Sequence, residues 1–176
     1  MPIKLSLPGW VRTVRLHDPD SATAEFTELL AQVQERGRVG RGELESAASQ
    51  VVDGAFEHGV RLLGLVQPPG RPAALLSVLG LQLRLPMDGP AAAAMSAFLA
   101  DRGGPGVQSL RTEPVDGVGP VVSLHRRDAS GAQAQAVIAE PDGEHWYLLT
   151  LAGQDPTRGA ELQDLLQDLV LGATVT

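Results

Sequence analysis

The 176-residue sequence has no cysteine. A disulfide, a thiolate nucleophile and a cysteine-based metal site are therefore excluded. Aromatic residues are scarce, at 3 %. Ala, Leu and Val must fill the core, with Phe26, Phe56 and Phe98 as its few large anchors. Lys4 is the only lysine, so no phosphate-binding loop of the Walker type exists. There is no G-x-S-x-G nucleophile elbow either. Positive charge is in deficit: the net charge of -7 argues against nucleic-acid binding, which needs clustered Lys and Arg to neutralise phosphates. Long apolar runs are also lacking. The greasiest stretch, from Ala73 to Leu85, is interrupted by Ser77, Gly80, Gln82 and Arg84, and is too short and polar to span a membrane. The first ten residues hold two prolines and no apolar core, so no signal peptide is expected and the expected location is cytoplasmic.

What is present is the composition of a globular chain. An apolar share of 43 % over this length suits a single α+β domain, residues 1–176, with a sizeable core. The pattern is organised around the last third. Glu144 to Leu151 reads as a strand, Asp155 and Pro156 as a helix start, and Leu162, Leu165, Leu166, Leu169 and Val170 as the buried stripe of an amphipathic C-terminal helix. Upstream, a strand from Trp10 to Leu16 is followed by a helical hairpin over 19–58. Its apolar stripes are Ala22, Phe26, Leu29, Leu30 and Val33, then Leu44, Ala48, Val51, Ala55 and Phe56. Gly37, Gly40 and Gly42 mark the connection. Val60 to Val66 is a short strand. Pro72 to Leu85 is apolar on both faces, as a covered central strand would be. A third helix carries Ala91, Ala94, Met95, Phe98 and Leu99, and four strands follow at about 107–113, 118–127, 132–139 and 144–151. The expected architecture is an antiparallel sheet flanked by helices.

The turns at 128–131 and 140–143 set a register for the last three strands. Symmetric hairpins place His125 opposite Ala134, Ala134 opposite Leu149, and Ile138 opposite His145. One face then carries Ala132, Ala134, Ala136, Ile138, Tyr147, Leu149 and Leu151, smooth enough for the C-terminal helix to lie on. The other face carries Arg126, Gln133, Gln135 and Trp146, a mixed surface of an aromatic, a guanidinium and two amides. Trp and Arg are the types most enriched where binding energy concentrates, so these four residues are the candidate binding site. The competing reading makes Trp146 core and the glutamines solvated strand positions.

No catalytic or metal constellation emerges. The histidines, His17, His58, His125 and His145, do not fall at ligand spacing on one element. Asp164 and Asp168 lie one turn apart on the solvent side of the last helix, and Ser123, His125 and Asp128 make no recognisable triad. No metal and no cofactor are expected.

The order of elements resembles the Mog1/PsbP-like α+β fold. Two stretches carry the likeness: 115–122 (Val115-Asp116-Gly117-Val118-Gly119-Pro120-Val121-Val122) and the passage from Trp146 to Val170. The opening strand, Pro8 to Arg12, is similar to that of small actinobacterial proteins beginning Pro-Gly-Trp-Val-Arg. The resemblance implies a non-enzymatic binding or accessory protein. The expected partner is another protein engaged through a sheet face or edge, with no nucleic acid and no membrane, and with a homo-oligomer left open. The runner-up is a small enzyme or small-molecule binder with a pocket between sheet and helices.

Overall fold

Asp18 opens the first helix by accepting a hydrogen bond from the Ser21 amide at 2.8 Å, and Pro19 costs nothing at the first helical position. Comparable punctuation divides the rest of the chain. A computed structural model describes residues 3–34, 39–82, 88–102, 106–116, 118–140 and 145–175. In order the elements are β1 (Ile3–Leu5), β2 (Val11–Val14), α1 (Pro19–Val33), α2 (Arg41–Glu57), β3 (Val60–Val66), β4 (Ala74–Gln82) and α3 (Gly89–Arg102). Then come β5 (Val107–Val115), β6 (Gly119–Asp128), β7 (Gly131–Ala139), β8 (His145–Gly153), α4 (Gly159–Leu171) and β9 (Ala173–Val175). The class is α+β, with antiparallel strands and helices, and a helix stands near the C-terminus. No helix among the described residues is long and apolar enough to cross a membrane. The chain divides into two compact units, residues 9–79 and residues 1–8 with 80–176.

In the first unit, β2, β3 and β4 lie side by side and antiparallel, with Val11 opposite Val66 and Leu65 opposite Leu75. The α1–α2 pair is the expected helical hairpin. Its core joins Ala22 and Phe26 of α1, Ala48, Val52 and Ala55 of α2, and Val14, Leu63 and Leu65 of the strands. The expected α2 stripe is corrected at its end. Leu44, Ala48, Val52 and Ala55 are buried at intervals of four and three, whereas Phe56 sits one position past that stripe and is 37 % exposed. Phe26 is core; the side chain of Phe98 lies outside the described residues. His58 ends α2: its backbone N–H donates to the Gly54 carbonyl at 3.0 Å, and its Nδ1 lies 2.8 Å from the same oxygen.

In the second unit the strands run in the order β8-β7-β6-β5, an antiparallel meander. His125 faces Ala134, as the first turn requires. The second hairpin differs from the symmetric expectation by two residues. Ala134 faces Leu151, Ala136 faces Leu149 and Ile138 faces Tyr147. The Glu140 amide donates to the His145 carbonyl at 2.8 Å, which fits the shifted register and not the symmetric one. A shift of two keeps every side chain on its expected face. The small apolar face is therefore intact, and Ala132, Ala134, Ala136, Ile138, Leu149 and Leu151 are all at most 1 % exposed.

α4 covers that face. Asp155 accepts from the Thr157 amide at 2.8 Å and from its hydroxyl at 2.6 Å, starting a 3-10 turn at Pro156 that passes into α4 at Gly159. Leu162, Leu165, Leu166, Leu169 and Val170 are buried, and Asp164 and Asp168 are exposed. Beyond α4, β9 pairs with β1 in a separate two-stranded ribbon, an element the sequence reading did not include.

Leu166 is fully buried between α4 and the sheet, so Leu166→Ala is expected to cost about 2–5 kcal/mol in a denaturant melt. A variant that melts like the parent would refute this packing of α4.

The Asp155 carboxyl is held below its ordinary 3.8, chiefly by the Thr157 hydroxyl and then by the Thr157 amide. A depressed acid stabilises the fold above its unfolded value and loses that contribution as pH falls through the folded one. Relative to Asp155→Asn, the wild type should therefore lose thermal midpoint below about pH 3.8 and not above it. Parallel acid limbs for the two proteins would contradict the cap.

Candidate functional site

Alternation along β6, β7 and β8 brings three of the four candidate binding residues together. Arg126 lies directly across from Gln133, and its Nε and Nη2 donate to Gln133 Oε1 at 3.2 and 2.9 Å. Gln135, two positions along the same strand, donates to Thr150 Oγ1 at 3.4 Å. All four side chains of this strip are half-buried. Trp146 is on the same face but not in the strip. The two-residue shift puts it opposite Ala139 rather than Val137, further from the glutamines. It is 2 % exposed and packs with Val137, Ala139, Leu81, Met95 and Leu148. Trp146 is core here and presents no surface to a partner.

On the opposite face a polar chain runs beneath α4. His125 Nδ1 is 2.8 Å from Gln163 Oε1, and Gln163 Nε2 donates to Ser123 Oγ at 3.3 Å. The amide oxygen only accepts, so the Nδ1–H tautomer of His125 satisfies this bond. Gln163 is completely buried and both ends of its amide are used. Gly159 allows the close approach: a Cβ there would sit 2.6 Å from His125 Cδ2. Arg158 is 6 % exposed and holds Glu161 through Nε at 3.2 Å and Nη2 at 3.0 Å. Ser123 and His125 are thus linked through Gln163 and not to each other. This network anchors α4; it does not activate a hydroxyl, which needs a base in direct contact.

A second buried polar group was not singled out from the sequence. Glu140 is 3 % exposed, accepts from the Tyr147 hydroxyl at 2.6 Å, and lies 3.4 Å from His145 Nδ1. That approach suits an ion pair with a protonated ring but is not aligned as a hydrogen bond. In the sequence Glu140 precedes Pro141-Asp142-Gly143, a pattern that reads as a solvated loop end and concealed it. The same hairpin puts His145 level with Glu140, six positions beyond Ala134, so His125 and His145 stand roughly 20 Å apart along the strands. Among the described residues no three His, Asp or Glu side chains converge as a metal-ligand group.

Among the described residues, no strand pairs with the outer margin of β5, the last strand of the second unit's meander. Pro114 lies directly opposite Pro120. Neither has an N–H, so this cannot be a pair that exchanges two hydrogen bonds. It must be a non-hydrogen-bonded pair. Alternation then fixes the rest of the strand. Glu113, Arg111 and Ser109 turn their backbone groups inward to β6, and Thr112 and Leu110 turn theirs outward. The outer margin offers N–H and C=O at Leu110 and Thr112, and the C=O alone at Pro114. Gln108, Arg111, Thr112 and Pro114 are exposed. Thr112 Oγ1 is 2.7 Å from Ser96 Oγ of α3, which steadies the strand from its mixed face. On the other face Arg111 reaches Asp164 at 3.4 Å, and Gln167 donates to Glu113.

In the other unit a shallow groove of about 580 Å³ lies along α1 and α2, lined by Asp20, Glu25, Glu28, Arg41, Glu45 and Ser49 among others. Arg41 bridges Glu28 at 2.9 Å and Glu45 at 3.2 Å, so these three charges are paired within the hairpin.

No protein-family model matches this chain, and no curated protein matches it.

The phase of β5 has a direct consequence. Proline is tolerated on a strand only where the N–H is not used in the ladder. Thr112→Pro should therefore leave the fold nearly intact, and Arg111→Pro should lower the thermal midpoint sharply. Equal losses would show that the inward and outward positions are wrongly assigned.

Proposed function

We propose that this is a cytoplasmic, non-enzymatic binding or accessory protein that engages another protein chain through its sheet, at the outer edge of β5. The observation that carries the reading is the free margin itself. A strand edge with unpaired N–H and C=O groups is a template for another strand. Natural edges are usually blunted, and here Pro114 and the irregularity between Val107 and Ser109 blunt only the two ends. Among the described residues nothing pairs with the outward backbone of the central positions Leu110 and Thr112. The strip of Arg126, Gln133 and Gln135 supplies polar contacts on the adjoining face for a partner that extends beyond the edge. A Mog1/PsbP-like fold is part of the same proposal and agrees with a binding role.

The competing reading is a small enzyme or small-molecule binder. The described cleft in this unit, beside Glu113, Ser123 and Gln167, has a cavity volume of only about 10 Å³. Ligand pockets commonly enclose roughly 300–1,000 Å³. The buried polar groups nearby are occupied by each other. No observation favours that reading over edge binding.

Affinity capture from host lysate tests the proposal when the wild type is compared with Thr112→Pro. A partner recovered with the wild type and lost with the folded variant is the expected result. A partner retained by Thr112→Pro would place binding elsewhere.

A further inference from the structure

The β5 margin carries a charge pattern that fits itself. Resting on the reading of β5 as a docking edge, we infer that its partner strand is β5 of a second copy, joined antiparallel about a two-fold axis through Thr112. Three facts lead to this. The outward backbone groups lie on alternate residues, Leu110 and Thr112, as a narrow hydrogen-bonded pair requires. Arg111 and Glu113, of opposite charge, flank Thr112 on one face of the strand. Among the strands of the meander, exposed positions concentrate on β5, at Gln108, Arg111, Thr112 and Pro114.

The register follows from the charges. With Thr112 opposite Thr112 of the second copy, the two exchange both backbone hydrogen bonds. Leu110 then donates to the Pro114 carbonyl of the second copy, and the symmetric bond doubles it. Arg111 falls opposite Glu113 of the second copy, and Glu113 opposite its Arg111. These are non-hydrogen-bonded positions, where side chains approach most closely. The neighbouring registers are poorer. Centring the axis on Arg111 sets two guanidinium groups directly opposite each other, which is destabilising. Centring it on Leu110 leaves both charges without a partner and draws the irregular stretch at Val107–Ser109 into the pairing. Self-complementarity of this kind is the mark of an isologous two-fold interface. Pro114 contributes only a carbonyl, so the pairing is confined to a few residues and does not propagate into a longer ladder.

The absence of native cysteine makes the register measurable by single-cysteine cross-linking. A hydrogen-bonded antiparallel pair holds its Cα atoms about 5.5 Å apart, within the span of a disulfide. Thr112→Cys should therefore form a covalent dimer under mild oxidation. Arg111→Cys and Leu110→Cys should each fail to cross-link with themselves. Sedimentation equilibrium of the cysteine-free wild type should give about twice 18.5 kDa, falling to the single mass in Arg111→Glu. The double variant Arg111→Glu/Glu113→Arg should return to twice the mass, a recovery that a merely misfolded Arg111→Glu would not show. Cross-linking at Arg111→Cys or Leu110→Cys instead of Thr112→Cys would overturn the register. A wild type that sediments as a single chain would overturn the second-copy assignment. If that single chain still captures a partner that Thr112→Pro loses, the edge reading survives without it. If Thr112→Pro loses nothing, both fall.

Discussion

The second unit depends on how closely α4 approaches the alanines of β7. Ala132, Ala134 and Ala136 present a face with almost no relief, and Leu162, Leu166 and Leu169 fill the space above it with no measurable exposure beyond 1 %. A helix set so near a sheet must dispose of the polar groups it traps. Gln163 does this by spanning His125 and Ser123, and Gly159 makes room for the imidazole. The same constraint appears at the β7 start. Gly131 has φ 150°, and a Cβ there would meet the Gly153 carbonyl at 2.1 Å, so only glycine fits between the turn and the end of β8.

The packing of α4 explains why the margin of β5 matters. One face of the β5–β6 pair is met by α4, through Asp164, Gln163 and Gln167. The other is met by α3, where Ser96 bonds to Thr112. With polar contacts from helices on both faces, the described side chains of this region are largely engaged within the unit. Among the described residues, what remains unengaged is the outward backbone of Leu110 and Thr112. A binding role built on main-chain hydrogen bonds needs no deep pocket and no displaced pKa, and it places its specificity in the flanking side chains. Here those are Arg111 and Glu113, both on the face that α4 meets, Arg111 exposed and Glu113 half-buried.

Much of this fold was legible because local chemistry and global position agreed. Asp18-Pro19 and Asp155-Pro156 mark helix starts by cap geometry alone. The face assignment of β6, β7 and β8 also followed from alternation. It survived an error in the second hairpin because that error was two residues, and period-two patterns are blind to even shifts. The same shift moved Trp146 away from Gln133 and Gln135, so the binding strip and its supposed anchor parted. Phe56 failed for a related reason. On a helix whose apolar residues are mostly Ala and Val, a phase difference of one position is hard to see, and Val52 took the buried place. Gln163 and Glu140 could not be read as buried, since amides and carboxylates are buried only when partners distant in sequence satisfy them. The phase of β5 is the opposite case. It becomes plain once Pro114 is known to face Pro120, a pairing that needs the structure but whose consequence is pure covalent chemistry.

Residue-resolved amide exchange along β5, followed as protein concentration is raised, tests the free margin most directly. The account predicts an alternating pattern in dilute solution, with Ser109, Arg111 and Glu113 slow and Leu110 and Thr112 fast, and slowing of Leu110 and Thr112 alone as the concentration increases. Slow exchange at Thr112 in dilute solution, or fast exchange at Arg111, would contradict it.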